Sequence, residues 1–353
     1  MAANLKKDLE EIMEREENKY CADCGFVDPD WCNIRVGVLI CKTCAGIHRG
    51  LATNRVKSLK LDSWTADEVD LAIGNRLNEQ LEKFLPMYYS KPIPSSQTAL
   101  KESFIICKYD GKLFEDDNKL KQSSIGTGEK SGFLHKKGKS KEAWKPRFFV
   151  VKNSNLEYFI KIDDTNPKVQ VPIKDIGINL EEINLNMFAM AITYFQESSS
   201  SRNYYAYSDN NLLTIEWYYT ILCAQNKIAN SMECINLDGS MLCSGVYLQK
   251  SGYLYKPGPA AKDVWRKRWF FYNKGYLSYY KEKLDAHPKG EIKLGKRAEG
   301  FEVCAGESDH HKQAPYEHTF QLKTPPRTYK LCAETRDDMV SWVKLLNQTI
   351  QDV

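Results

Sequence analysis

The residues in this chain best suited to chemistry fall in one stretch, CADCGFVDPDWCNIRVGVLICKTCAGIHR, running from Cys21 to Arg49. It holds two CxxC pairs, Cys21/Cys24 and Cys41/Cys44, sixteen residues apart. Each CxxC bends into a knuckle that aims two sulfurs at one centre. Two knuckles complete the tetrahedral thiolate shell that Zn2+ prefers. Four protein ligands leave no open position, so the ion would build a fold and do no chemistry. The competing reading is disulfides or unrelated core thiols. It sits badly with a long chain whose N-terminus, MAANLKKDLEEIMEREENKY, is charged throughout and lacks the apolar core of a signal peptide. Reactivity must then come from a neighbour, and the candidate is Arg49, five residues past the last ligand. The knuckle would hold its backbone rigidly. His48 is expected to pack or hydrogen-bond, because four cysteines already fill the shell. Trp31 is expected as core or as a brace near Arg49.

The elements that must position these groups follow from periodicity. Leu5, Leu9, Ile12 and Met13 recur at helical spacing. VKSLKL alternates like a short strand. Thr65 and Glu68 form a capping-box signature opening a helix whose buried face is Val69, Ile73, Leu77, Leu81 and Phe84, closed by Pro86. A further helix is expected near 96–108, and KLKQSSIGTGEK after it reads as a linker. The remainder is an internal repeat. GFLHKKG (132–138) is echoed by GYLYKPG (252–258), WKPRFF (144–149) by WRKRWF (265–270), and LEYFIKIDDTNPK (156–168) by LSYYKEKLDAHPK (277–289). Each unit ends on a helix with a tryptophan, Trp217 or Trp342. In the second helix Met339, Trp342, Val343, Leu346 and Ile350 share one face. Period two giving way to period 3.6 predicts a curved β-sheet plugged by a C-terminal helix.

Composition narrows the class. A length of 353 residues predicts two or three domains, and the net charge of +4 is far below that of a dedicated nucleic-acid binder. No apolar run approaches the ~20 residues needed to span a bilayer. Of eleven cysteines, the seven outside the quartet (Cys32, Cys107, Cys223, Cys234, Cys243, Cys304, Cys332) are scattered and read as buried free thiols in a reducing cytosol. Nothing such as a heptad repeat points to an obligate oligomer, so a monomer is expected.

CxxC-x16-CxxC-x4-Arg, with Trp31 between the pairs, VKSLKLDSW downstream and Gly74-Asn75 beyond, resembles the catalytic module of Arf GTPase-activating proteins over roughly 4–115. The resemblance implies that Arg49 is a finger acting on the nucleotide of a small GTPase. Cys32-Asn33 stands where that family has small residues, and GLATN departs from its usual continuation after the arginine. Each repeat unit resembles a pleckstrin-homology domain through G-x-L-x-K-x-G, W-[KR]-x-R-[WF]-F and the helix tryptophan. In that family's phosphoinositide binders the first two strands present cations to phosphates, with a tyrosine on the third. The matching positions are Lys136, Lys145, Arg147, Tyr158 and Lys168 in the first copy, and Lys256, Arg266, Arg268, Tyr279 and Lys289 in the second. Side chains two apart on a strand share a face, so each [KR]-x-R pair aims both cations at one pocket. Ile160 takes the place of Lys281, and Pro146 separates the first copy's cations. The second site is therefore expected to be at least as good as the first.

The expected fold class is multidomain α+β. Residues 1–120 form a four-cysteine zinc-finger ArfGAP-like domain with helices. Residues 130–230 and 250–353 form two pleckstrin-homology-like β-barrels, each capped by a C-terminal helix, with a short linker at about 225–248. This order resembles the dual-PH ArfGAP family of the centaurin-alpha type. It implies Zn2+ as cofactor, a GTP-bound Arf-family GTPase (Arf6-like) as partner, and bisphosphate or trisphosphate phosphoinositides as lipid targets. It also implies a cytoplasmic protein recruited peripherally to the plasma membrane, supplying Arg49 in trans rather than acting as an enzyme alone. The alternative is a phosphoinositide-dependent adaptor whose zinc module binds a GTPase or another protein without accelerating hydrolysis. Nucleic-acid binding is disfavoured. A DNA-reading finger needs a basic recognition segment, and the chain after Cys44 continues instead into an apolar-periodic strand and helix.

Overall fold

The computed structural model describes residues 2–51, 55–74, 92, 94, 96, 98–110, 122–138, 143–184, 187–196, 199–233, 250–258, 264–273, 275–306 and 314–351. The N-terminal apolar stripe forms α1 (Ala2–Glu14), which buries Leu9 and Ile12 against Leu39, Leu59 and Val69. Three short strands, β1 (Trp31–Asn33), β2 (Val38–Ile40) and β3 (Val56–Ser58), pair antiparallel in the order β2-β1-β3. Between β2 and β3 runs α2 (Lys42–Gly50). The predicted capping box opens α3 (Ala66–Gly74): Thr65 N–H donates to Glu68 Oε2 at 3.0 Å, and Glu68 N–H donates to Thr65 Oγ1 at 3.4 Å. Leu77, Leu81, Phe84, Pro86 and Asn75 lie outside the described residues. The next helical stretch spans 98–110, against the expected 96–108. It comprises α4 (Thr98–Ile105), continued by a wider π turn over Ile106–Asp110.

The stretch read as a linker contains structure. Ser123 caps a single turn, α5 (Ser124–Thr127), by accepting the Gly126 N–H at 3.2 Å, and Ile125 is buried. One apolar residue in a polar run gave no periodic signal, but it suffices to pin the turn to the first barrel. The second expected linker is also helical in its described part, because α6 (Asn211–Glu233) runs past residue 225. Gln225 faces inward there, donating Nε2–H to Ile173 O at 3.0 Å and Ile176 O at 2.7 Å.

The two repeats fold alike. The first has strands β4 (Lys130–Lys137), β5 (Trp144–Lys152), β6 (Asn155–Phe159), β7 (Val169–Pro172), β8 (Ile176–Asn184), β9 (Met187–Gln196) and β10 (Ser199–Tyr207). The second has β11 (Lys250–Lys256), β12 (Arg266–Asn273), β13 (Tyr276–Tyr280), β14 (Gly290–Lys293), β15 (Glu302–Ala305), β16 (Thr319–Thr324) and β17 (Arg327–Cys332), then α7 (Arg336–Ile350). Both sheets are antiparallel with the same order, β7-β6-β5-β4-β10-β9-β8 and β14-β13-β12-β11-β17-β16-β15. Trp217 and Trp342 are buried beside Gly132 and Gly252, so each helix plugs its barrel as the change of period predicted. Pro146 interrupts nothing: the β5–β6 ladder begins at Phe148↔Phe159, beyond the proline's missing N–H.

The three units are joined by buried contacts. Phe104 and Ile105 of α4 belong to one continuous core with Cys21 and Cys44 on one side and Tyr218 and Tyr219 of α6 on the other. The barrels meet where β8, β9 and β10 of the first face β11, β12, β13, β14 and the β13–β14 loop of the second. Asn203 N–H donates to Ala286 O at 2.8 Å, and Phe195 stacks on Tyr276 at 4.8 Å. Gly177 permits the close approach, since a Cβ there would lie 2.8 Å from the Asn273 amide. Glu181 is buried at this junction. Burial raises its pKa, and Lys283, Ser251 and Asn179 oppose the rise. Because α4 sits in a shared core, Phe104→Ala should lower stability by about 3–5 kcal/mol. Urea unfolding of the full chain, followed by probes in each domain, should show the four-cysteine domain and the first barrel shifting together. A shift confined to one of them would mean that the cores are independent.

Candidate functional site

The four cysteines converge as their spacing predicted. The Sγ atoms of Cys21, Cys24, Cys41 and Cys44 all lie within 4.8 Å of one another, and all four residues are buried. Gly25, at φ +69°, turns the first knuckle, and its N–H donates to Cys21 O at 3.0 Å. Cys41 precedes α2 and Cys44 lies in its first turn, so the second knuckle is a helix start. Cys24 and Cys41 Sγ are 3.7 Å apart. A tetrahedral ion with Zn–S bonds of ~2.3 Å needs sulfurs ~3.8 Å apart, so the donor set fits zinc in type, number and size.

Asp23, inside the first knuckle, is buried and ties this centre to distant chain. Its Oδ1 accepts Tyr109 O–H at 2.8 Å and Lys108 Nζ–H at 3.2 Å, and Lys108 also donates to Ala22 O at 2.9 Å. Burial alone would raise the carboxyl's pKa, but Lys108 and His48 hold it below the usual value. His48 is not near enough to the sulfurs to join their cluster, in line with the hydrogen-bonding role expected of it. Asn33 Oδ1 accepts the Arg35 N–H at 3.1 Å, which turns Asn33 Nδ2 toward His48 Nδ1 at 3.0 Å. His48 Nδ1 is thus the acceptor, and Nε2–H donates to Asp23 Oδ2 at 2.8 Å. The departure at Cys32-Asn33 is accounted for, while Ala52, Thr53 and Asn54 of GLATN lie outside the described residues. Cys32 is a fully buried core thiol, its pKa pushed up to about 12 by burial, and Asn33 orients the histidine.

Arg49 follows His48 on the exposed side of α2, with its guanidinium 4.4 Å from the centroid of the half-buried Trp31 ring. The two elements that bring them together, β1 and α2, are both fixed to the thiol centre. Stacking on the ring restrains an otherwise flexible side chain while leaving its N–H edges free to meet an anion.

The barrel mouths gather the predicted cations. Lys136 stands directly opposite Lys145 in the β4–β5 ladder, with Arg147 two residues on. Lys256 stands opposite Arg266, with Arg268 two residues on. Lys136 Nζ lies 5.2 Å from the Tyr158 ring centroid, and Lys256 Nζ lies 4.8 Å from that of Tyr279. The backbones of Lys168 and Lys289 are tied to the third strands, their N–H groups donating to Tyr158 O at 2.8 Å and Tyr279 O at 2.7 Å. Two further pairs escaped the sequence reading. Arg202 lies 4.9 Å from the Tyr204 ring on β10, and Arg327 lies 4.0 Å from the Tyr329 ring on β17. Lys136 also lies over Tyr204, at 5.4 Å, so the last strand completes the first mouth. Burial pushes Lys136 down to about 8, and the charges that add to the shift, Arg202 and Arg147, are both positive. An Arg-x-Tyr repeated in both copies was visible in the sequence, but the strand that carries it is remote from the cation motif.

Comparison with known proteins agrees with this layout. The family described as "Putative GTPase activating protein for Arf" matches residues 6–118, and the PH domain matches residues 128–224 and 248–351. The human "Arf-GAP with dual PH domain-containing protein 2" is 29% identical over 355 residues, covering 97% of this chain and 92% of that protein. Two others match over about a third of the chain. "Probable ADP-ribosylation factor GTPase-activating protein AGD13" of Arabidopsis thaliana is 37% identical over 36% of this chain and 40% of its own length. Human "Stromal membrane-associated protein 1" is 37% identical over 34% of this chain and 26% of its own. With both domain types matched in this order, the chain belongs to the family that joins an ArfGAP domain to two PH domains.

Proposed function

We propose that this protein accelerates GTP hydrolysis by an Arf-family GTPase on phosphoinositide-bearing membranes, with Arg49 as the group supplied in trans. The observation that carries this is the exposed Arg49 guanidinium laid on Trp31 beside a buried, closed thiol centre. During hydrolysis, negative charge moves toward the β–γ bridge and γ-phosphate oxygens. An arginine delivered there by a GTPase-activating protein accelerates the step by roughly 10³–10⁵-fold. A restrained guanidinium loses less freedom on reaching that position than an unrestrained one. Cys21, Cys24, Cys41 and Cys44 would hold Zn2+, whose contribution is to fix the knuckles that carry α2 and β1. Asp23 and His48 add to that rigidity.

The two mouths would take polyphosphorylated inositol headgroups, with the aligned cations clamping phosphates. Their members are Lys136, Lys145, Arg147, Tyr158 and Lys168, joined by Arg202, and Lys256, Arg266, Arg268, Tyr279 and Lys289, joined by Arg327. No helix among the described residues is long and apolar enough to cross a membrane, which fits peripheral recruitment. Two moderate sites on one chain make the second binding event effectively intramolecular. We place the site of action at the plasma membrane and read the protein as a monomer.

Three outcomes test this. Elemental analysis should find one zinc per chain, lost together with the folded N-terminal domain in Cys41→Ala. Hydrolysis by myristoylated Arf on vesicles containing the trisphosphate lipid should be strongly accelerated. Arg49→Lys should reduce that acceleration by roughly 10³-fold, because it keeps charge but loses the planar fork. Intact vesicle binding with no acceleration by the wild type would make the protein the adaptor instead. Finally, a bound phosphate should return the depressed Lys136 to its protonated state, so headgroup binding above about pH 8 should take up a proton and weaken as pH rises. Calorimetry at pH 8.5 in two buffers of different ionisation enthalpy reads that uptake. If Lys136→Gln took up the same proton, Lys136 would not be the group.

A further inference from the structure

The repeat exposes a difference between the barrels outside either mouth. On the first barrel, Phe133, Phe148 and Phe159 are directly opposed across β4, β5 and β6. On the second, Tyr253, Trp269 and Tyr280 are opposed in the same way across β11, β12 and β13. Their strand neighbours Leu134, Phe149 and Leu254, Phe270 point into the barrels, so these rows lie on the outer faces. Each row continues into the loop after the third strand, as Ile160 and Ile162 in one copy and Lys281 and Lys283 in the other.

In the second barrel this face is a docking surface in use. Tyr280 is fully buried, its phenol beside Asn203 and Ser201 of the first barrel, and burial pushes its pKa up to about 12. Lys283 lies over Trp269 at 5.1 Å, pairs with Glu181 at 3.5 Å and donates to Glu182 O. In the first barrel the same face is open: Phe133 is 54% exposed, Ile160 48% and Ile162 63%. The chemistry has changed at every one of the five positions. Tyr, Trp, Tyr, Lys and Lys have become Phe, Phe, Phe, Ile and Ile, so each polar tip is gone.

We propose that this hydrocarbon stripe of the first barrel enters the interfacial layer of the lipid bilayer whose headgroup the same barrel holds, a proposal that rests on the headgroup reading above. Two observations select a lipid surface. The stripe is continuous with the mouth: Ile160 and Ile162 occupy the loop that leads to Lys168, and Phe148 directly follows Arg147. It also offers no donor or acceptor, whereas the equivalent face that meets protein uses polar tips against Ser201, Asn203 and Glu181. Ile162 in place of Lys283 removes the cation that an acidic strand like β8 requires, which argues against a second copy docking as the barrels do here. Ile160 and Ile162 bracket Lys161, with Lys168 beyond Asp163 and Asp164, and apolar side chains beside a lysine match the boundary between headgroups and acyl chains.

The test uses the full chain with vesicles of phosphatidylcholine and phosphatidylserine, with and without a few per cent of trisphosphate lipid. The double variant Ile160→Ser/Ile162→Ser changes exposed loop positions. It should lower vesicle affinity roughly tenfold by removing buried hydrocarbon, and leave binding of soluble inositol tetrakisphosphate unchanged. Ile160→Trp should add fluorescence that acyl-brominated lipids quench beyond the wild-type level. Unchanged vesicle affinity in the double variant, or an unquenched Trp variant, overturns the proposal. So does a lipid-free dimer that the double variant dissolves, which would give the stripe to a second copy. Failure of the wild type to bind soluble headgroup would sink the headgroup reading separately. Quenching on phosphatidylserine vesicles would then decide the stripe.

Discussion

Asp23 lies between two of the thiols with its carboxylate out of water, and a charge so placed is tolerable only when its partners are complete. Here three partners come from two places in the chain: His48 on the helix that begins at the second knuckle, and Lys108 and Tyr109 from the turn after α4. Removing one partner of such a group typically costs about 3–5 kcal/mol, so the network dictates where α4 must sit. Once α4 is fixed, Phe104 and Ile105 are committed to the core that also holds the first barrel. The exposed arginine at the other end of α2 inherits this rigidity. Its guanidinium, laid on Trp31, is thereby held on a support that this buried cluster fixes.

The barrels show how one fold is used twice without being used identically. Both mouths keep the cross-strand cation pair, the tyrosine beneath it and the Arg-x-Tyr of the last strand, since an anion site needs converging positive charge whichever copy carries it. The outer faces have diverged because they meet different surroundings. Where the second barrel packs against the first, Lys283 meets a charge complement in Glu181. On the first barrel, where Phe133, Ile160 and Ile162 are exposed, the same row is pure hydrocarbon.

Legibility in the sequence followed the range of the interactions involved. The thiol quartet, the capping box at Thr65 and the two sheet-plus-helix units were readable because each depends on spacing within one element or on a repeat that confirms itself. The neighbouring Cys32 and Asn33 looked like departures from a pattern, and only their burial and hydrogen bonds explain them. The turn at Ser124 and the length of α6 were missed. Both are held by contacts to residues far away in sequence, Ile125 in the first barrel's core and Gln225 with carbonyls of the β7–β8 connection.

The sequence alone determined the thiol quartet, the domain order, the arginine beside the second knuckle and the cation pairs of both mouths. These are properties of residue type at fixed spacing, and a CxxC or a K-x-R means the same thing wherever the chain goes. Tertiary structure decided the rest. It placed Arg49 on Trp31, brought Lys108 and Tyr109 to Asp23, added Arg202 to Lys136, and buried one aromatic row while leaving its twin open. Each of these joins residues from different elements, so their distance is set by how the elements pack, and no local pattern encodes it.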